Sequence, residues 1–408
     1  MDEMVSVEEA LAISLAGALP LDSEWISPGE ASGRFAAQDI TAITDSPPFD
    51  NSAVDGYAVR LADVADASAD SPRLIRVTDT VNAGPGATGA LEAGTAVRIM
   101  TGAPVPAGTE AVVMVEDTVS DRRDEVQVLA SPNRGQHVRL RGQDFKAGEP
   151  LLNRGGRITP AAVGLLASAG VALVPAIRRP RVAILTTGDE VVEVSGATVL
   201  PAGAVYNSNG PMLEALVETS GAIVSRRVHI PDDPEETERL IALCARDADV
   251  VISAGGVSMG ERDYVRAAVQ KLGRLDQWRV RVKPGKPLVI GAVGGARFFG
   301  LPGNPVSALV TFELFARPLL RIMAGESHGS EPRIMARLVE PVHHEPGRRE
   351  YLRGQMWSEQ GAILCRPVGG QGSNQLRAAA TANALLEISE DHESVPAGTV
   401  IRILMLCS

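Results

Sequence analysis

Between residues 180 and 323 the chain alternates short, wholly apolar runs with amphipathic stretches of about ten residues. RVAILTTG (181–188), AIVSRRVH (222–229) and DVVISAGG (249–256) read as strands, and their Val/Ile/Leu runs are those of strands buried on both faces. Gly210–Ser220, Pro234–Ala248 and Asp263–Leu272 carry helical spacing between them. Two further strands, WRVRV (278–282) and PLVIG (287–291), precede ARFFGLPG (296–303), and Asn304–Met323 reads as one long helix. Strand and helix alternating in this way predict an α/β sandwich on a mostly parallel sheet.

The flanks have a different rhythm. From 73 to 153 the chain holds only short strands (RLIRVTD, TAVRIMTG, EAVVMVEDT, EVQVLA, HVRLR) between Gly/Pro turns, the pattern of a small β domain or barrel. From Pro332 the short strands return (RIMARLVE, EYLRGQM, AILCRPV, ALLEI, TVIRILM), predicting a second β domain. Ser6-Val7-Glu8-Glu9 has the form of a capping box for a helix Val7–Leu19, and Arg34–Ala42 reads as extended. Thr159-Pro160 supply the cap and first position of a helix that ends at Gly170.

Composition narrows the class. A chain of 408 residues, 45% hydrophobic and 22% charged, has an ordinary globular core, and 3% aromatics make that core aliphatic. A net charge of −11 argues against a general nucleic-acid or anionic-membrane surface, so an anionic ligand needs locally placed cations or backbone donors. Cys244, Cys365 and Cys407 stand far apart without metal-ligand spacing, which argues against a disulfide framework or structural zinc site. The acidic N-terminus lacks a signal-peptide core, and Ala161–Ile177, the most apolar stretch, is too short and broken to span a bilayer. A cytoplasmic enzyme without membrane or nucleic-acid partners is the expectation.

Chemistry gathers in the loops after the strands. In an open α/β sheet the ligand crevice lies outside the carboxyl ends of the strands. TTGDE, PDDP, GGVSMGERD and GLPGNPVS all fall there and bring Glu190, Asp232, Asp233 and Asp263 towards one edge. Clustered carboxylates call for a cation, and Mg²⁺ held by one or two of them plus substrate phosphates fits. Helix capping is the competing role; it weighs evenly for Asp233, while the position of Asp263 directly after the glycine loop favours function. Gly255, Gly256 and Ser258 offer backbone and hydroxyl donors. Only four lysines occur, and two of them, Lys283 and Lys286, flank the stiff Pro-Gly of KPGKP, suited to an oxyanion. Asn304-Pro305 would cap a helix whose free N–H groups and dipole also favour an anion.

These stretches resemble the MoeA family of molybdopterin molybdenumtransferases, related to the E domain of gephyrin and plant Cnx proteins. The resemblance rests on PPFDNSAVDGYAV (47–59), MTGAPVPAGTEAVVMVED (100–117), RGQDFKAGE (141–149), TTGDE (186–190), YNSNG (206–210), SAGGVSMGERDY (253–264), VKPGKP (282–287) and GLPGNPVSA (300–308), in order and nearly end to end. It implies an α/β domain like the molybdopterin adenylyltransferases at 179–328, an inserted β domain at 46–139, an elongated linker domain from 1–45 and 140–178, and a C-terminal β-barrel domain at 329–408. Asp55, Asp144, Glu190, Asp232 and Asp263 look like the family's acidic catalytic cluster, with Glu190, Asp232 and Asp263 as metal ligands. Lys283 and Lys286 look like its oxyanion pair, and Pro302 and Pro305 like its loop prolines. Thr101, Arg139, Arg353 and Ser373 fall where members line the same cleft, and Gly255, Gly256, Ser258, Asn304 and Ser307 complete the substrate-binding set within the quoted motifs.

The implied activity is insertion of molybdate into the dithiolene of adenylylated molybdopterin, with Mg²⁺-dependent release of AMP. A homodimer whose cleft is shared between subunits is implied too, as is a partnership with the adenylyltransferase that makes the substrate. A tungstate-inserting paralogue, an adenylyltransferase and a non-catalytic scaffold are the alternatives.

Overall fold

The computed structural model describes residues 4–84, 89–194, 199–257, 264–327 and 333–406. The chain packs as two compact units, one of Met1–Glu24, Gly33–Ala37 and Pro175–Ser408, the other of Trp25–Ser32 and Gln38–Val174.

The first unit is built on a six-stranded sheet in the order Ile223–Ile230, Arg181–Thr187, Val250–Ala254, Ala296–Leu301, Pro287–Val293, Gly273–Arg279. The first four strands are parallel, and the last two add on antiparallel. Residues of one strand alternate between two cores, as side chains two apart share a face. Val182 and Ile184 pack with Leu213 and Val217 of helix Asn209–Thr219 and with the helical run from Pro305. Ala183 and Leu185 pack with Leu240, Ile241, Val265 and Val269 of helices Pro234–Asp247 and Tyr264–Leu272. Each fully buried Val, Ile or Leu contributes about 1.5–3 kcal/mol, which is why the apolar runs identify the sheet.

Local signals set the helix ends. The capping box closes, with Glu9 N–H on Ser6 Oγ at 3.1 Å and Ser6 N–H on Glu9 Oε2 at 2.8 Å. That helix, Val7–Leu15, is shorter than the expected run to Leu19, because the chain leaves helical geometry at Ala16 and Gly17 turns with φ of +69°. The expected single helix over 304–323 is interrupted: Pro305–Thr311 and Arg317–Met323 flank a π-helical turn at Phe312–Ala316.

Five strands, Arg349–Glu359, Ala362–Pro367, Arg333–Leu338, Val400–Met405 and Ala384–Ile388, form the C-terminal barrel, which closes where the last returns to the first. Val282–Lys283 adds in parallel beside Arg349–Glu350.

The second unit holds another six-stranded sheet, ordered Ala111–Met114, Gly56–Val59, Thr95–Ile99, Arg73–Val81, Glu125–Val128, Thr118–Arg122. Gly56 has to be glycine, since a Cβ there would lie 2.0 Å from the Val113 carbonyl oxygen. Helix Pro160–Ser168 starts at a Thr159 cap, as the sequence predicts.

Candidate functional site

The loops after the four parallel strands enclose a cleft of about 740 Å³ in the first unit. Glu190 and Asp232 open onto it, with Gly255, Gly256, Pro302, Asn304 and Pro305. Four separate loops of the sequence therefore meet at one sheet edge, as the strand pattern requires.

The two aspartates of PDDP have separate duties. Asp233 caps helix Pro234–Asp247, its Oδ1 accepting from Glu236 N–H at 2.7 Å. Asp232 keeps its carboxylate on the cleft, while its backbone N–H donates to Asp189 Oδ1 at 3.0 Å and ties two loops together. The carboxylates of Glu190 and Asp232 have no hydrogen-bond or ion-pair partner among the described residues, although the Glu190 carbonyl accepts the Val205 N–H at 2.8 Å.

The Gly-Gly turn is required by packing. Gly255 has φ of +97°, and a Cβ on it would lie 2.5 Å from Thr187 Oγ1; on Gly256 it would meet Val265 Cγ2 at 2.5 Å. The Gly255 N–H is already bonded to Leu301 O at 3.0 Å. Ser258 and Asp263 lie outside the described residues.

At the start of the helical run, Asn304 does not cap with its side chain. Its Nδ2 instead donates to Ser373 Oγ at 3.1 Å, and Val306 N–H donates to the Ser373 carbonyl at 3.0 Å. Of the expected free N–H groups, Pro305 has none and that of Val306 is taken. Ser373 reaches the sheet edge within its own chain, without a second subunit. Ser307 is buried, its carbonyl accepting from Thr311 Oγ1 at 2.7 Å.

Neither lysine of KPGKP lines the cleft, although the adjoining Pro287 does. Lys283 Nζ is 3.2 Å from Glu350 Oε1. Lys286 is half-buried, and its ammonium has no partner among the described residues. Arg353 lies under the 370–372 loop at 1% exposure, its guanidinium against the Gly370 and Gly372 carbonyls and its backbone paired twice with Gln371. Burial pulls its pKa below the usual arginine value.

In the second unit Asp55 and Thr101 are together, Asp55 Oδ1 accepting from the Thr101 N–H at 2.7 Å and its hydroxyl at 2.8 Å. The backbone bond first, then the hydroxyl, holds the Asp55 carboxyl below the ordinary aspartate range. Arg139 is exposed on a two-residue strand, opposite Asn51. Asp144 is also exposed, with its N–H on Ser46 O at 2.9 Å.

Sequence reasoning passed over the YNSNG residues as site residues, yet Tyr206, Asn207 and Asn209 line the cleft. Asn207 is a buried hub, donating to Thr186 Oγ1 and Glu193 Oε1 and accepting from Gly210 N–H, and Asn209 donates to Gly303 O at 2.7 Å. Two asparagines spaced by one residue at a helix start were the available signal. Among the described residues no group of three or more His, Cys, Asp or Glu is placed to hold a metal.

Residues 5–170 match the MoeA N-terminal region (domain I and II), 183–322 a probable molybdopterin binding domain, and 335–406 the MoeA C-terminal region (domain IV). The chain is 36% identical over 386 residues to the molybdopterin molybdenumtransferase of Haemophilus influenzae, covering 94% of each chain. It is 37% identical over 380 residues to molybdopterin molybdenumtransferase 2 of Mycobacterium tuberculosis, covering 92% of this chain and 93% of the relative. The crystal structure of a molybdopterin biosynthesis MoeA protein from Pyrococcus horikoshii superposes with a TM-score of 0.81 at 31% identity, covering 99% of both chains. Three consecutive matched regions, full-length relatives and a shared fold establish that this chain belongs to the MoeA family of molybdopterin molybdenumtransferases.

Proposed function

We propose that this enzyme of molybdenum cofactor biosynthesis inserts molybdate into the dithiolene of adenylylated molybdopterin and releases AMP. The observation that carries the proposal is the cleft lined mainly by the matched molybdopterin-binding region, where the Glu190 and Asp232 carboxylates have no partner among the described residues.

Two carboxylates on one cleft suit a hard divalent ion that completes its shell with water and substrate phosphate. Glu190 and Asp232 would hold Mg²⁺, which when bound supplies charge compensation for a pyrophosphate. Asp263 belongs to the same proposed set. Lys283 and Lys286, outside the cleft lining but in the stretch that leads to its Pro287, would hold molybdate oxygens by charge at its margin. A molybdate oxygen attacks the adenylyl phosphorus, and the bond from that phosphorus to the bridging oxygen breaks. The bridging oxygen stays on the pterin phosphate, the bond from molybdenum to the transferred oxygen breaks so that this oxygen leaves on AMP, and the two dithiolene thiolate sulfurs bind molybdenum. Asp55, whose carboxylate accepts both bonds from Thr101, belongs to the same proposed acidic set.

Purified protein given adenylylated molybdopterin, Mg²⁺ and ¹⁸O-molybdate tests this by mass spectrometry. AMP carrying ¹⁸O, dependent on molybdate and lost with chelator, is the expected result. AMP without ¹⁸O would overturn the oxygen transfer, and adenylylation of molybdopterin from ATP would overturn the assigned activity.

A further inference from the structure

Lys283 is held more closely than a surface lysine. Strand pairing sets it directly opposite Glu350 on the barrel strand Arg349–Glu359. Its Nζ lies 3.2 Å from Glu350 Oε1, and the other oxygen, Oε2, lies 2.7 Å from His344 Nδ1. The Glu350 side chain is 6% exposed and that of His344 0%, while Lys283 keeps 33% exposed. An ionised carboxylate only accepts, so His344 Nδ1 carries the proton it donates. His344 Nε2 is buried and has no partner among the described residues, which leaves the ring a single polar contact. Glu350 also acts electrostatically on the buried Arg353 guanidinium.

We infer that Glu350 is a positioning residue for Lys283, and that His344 orients Glu350. The inference rests on the assignment of Lys283 to the oxyanion. An ammonium has three N–H donors. One is turned to Glu350, and two remain for molybdate oxygens at the exposed end. A four-carbon stem loses rotamer freedom when an anion fixes it; Glu350 fixes the stem before the anion arrives. The barrel domain thus takes part in oxyanion binding through a side chain that never touches the anion.

Steady-state AMP release over a molybdate titration tests this with Glu350→Gln, His344→Leu, His344→Gln and Lys283→Met. Glu350→Gln raises the KM for molybdate about tenfold, as loss of an outer-shell partner does at metal sites, with a smaller change in kcat. His344→Leu follows it, and His344→Gln, which keeps an N–H donor for Oε2, shows a smaller rise. Because only four lysines exist, ¹³C-methylated lysine resonances report molybdate binding directly, and the Lys283 signal of Glu350→Gln needs correspondingly more molybdate to shift. If Lys283→Met weakens molybdate binding and Glu350→Gln does not, the positioning role is overturned. If Lys283→Met leaves binding unchanged, the assignment of Lys283 itself falls. Should Glu350→Gln not fold, the two His344 variants decide: equal KM values for both overturn the proposal.

Discussion

Thr101 gives its backbone N–H and its hydroxyl to the same oxygen of Asp55, at 2.7 and 2.8 Å, across 46 residues of chain. Both bonds favour the ionised carboxylate. Thr101→Val removes the hydroxyl bond alone, so the Asp55 carboxyl should titrate closer to the ordinary aspartate range, which NMR of carboxyl-labelled aspartate can follow. On the proposed activity, Asp55→Asn should lower AMP release by about 10²-fold, the scale of losing one catalytic carboxylate.

Asp249 opens the strand that leads to the glycine loop. Its two oxygens bind both terminal nitrogens of Arg178 at 2.7 Å, and Oδ2 also accepts the Arg181 N–H at 2.8 Å. Burial raises its pKa, but these bonds outweigh it and the net shift is downward. A depressed folded-state pKa gives stability that is present above the unfolded value and lost as pH falls through the folded one. Asp249→Asn should cost about 1.5–3 kcal/mol at neutral pH, the worth of hydrogen bonds to a charged group. The variant should also flatten the stability curve below about pH 4, where ordinary aspartates protonate. Urea unfolding at several pH values measures both.

Glu313 and Arg317 form an ion pair at 2.6 Å in the interrupted helix, with side chains 3% and 2% exposed. The Arg317 guanidinium also reaches Thr219 Oγ1 and lies 5.5 Å from the Phe312 ring centroid. Glu313→Gln leaves a buried charge without its partner and should cost about 3–5 kcal/mol. Glu313→Leu with Arg317→Leu should cost far less, because the pair's desolvation penalty disappears with its attraction. Thermal denaturation of the single and double variants distinguishes these outcomes.

Gly255→Ala should destabilise by about 1–3 kcal/mol through the positive φ alone. The contact of its Cβ with Thr187 Oγ1 at 2.5 Å adds to this and displaces the loop from the cleft. Thr187→Ser retains the hydroxyl and should not rescue it, whereas Thr187→Ala should recover part of the stability in a double-variant unfolding series.

The sequence by itself determined the parallel part of the sheet, because strands buried on both faces leave unbroken Val/Ile/Leu runs and a parallel sheet needs a crossover between them, whereas the expected strand at 278–282 divides between Gly273–Arg279 in this sheet and Val282–Lys283 beside the barrel. It determined the capping box at Ser6 and the cap at Thr159, since both are local. It also brought Glu190, Asp232, Gly255, Gly256, Pro302, Asn304 and Pro305 to one edge, because loops after parallel strands share an edge. Tertiary structure alone decided what each side chain does there. Whether an aspartate caps a helix or faces a cleft depends on a few ångströms, and this separates Asp233 from Asp232. That Ser373 takes the Val306 N–H, that Glu350 meets both Lys283 and His344, and that Arg353 is buried under a loop all join residues distant in the chain. No periodicity or spacing encodes such pairs, since they follow from how separate elements pack.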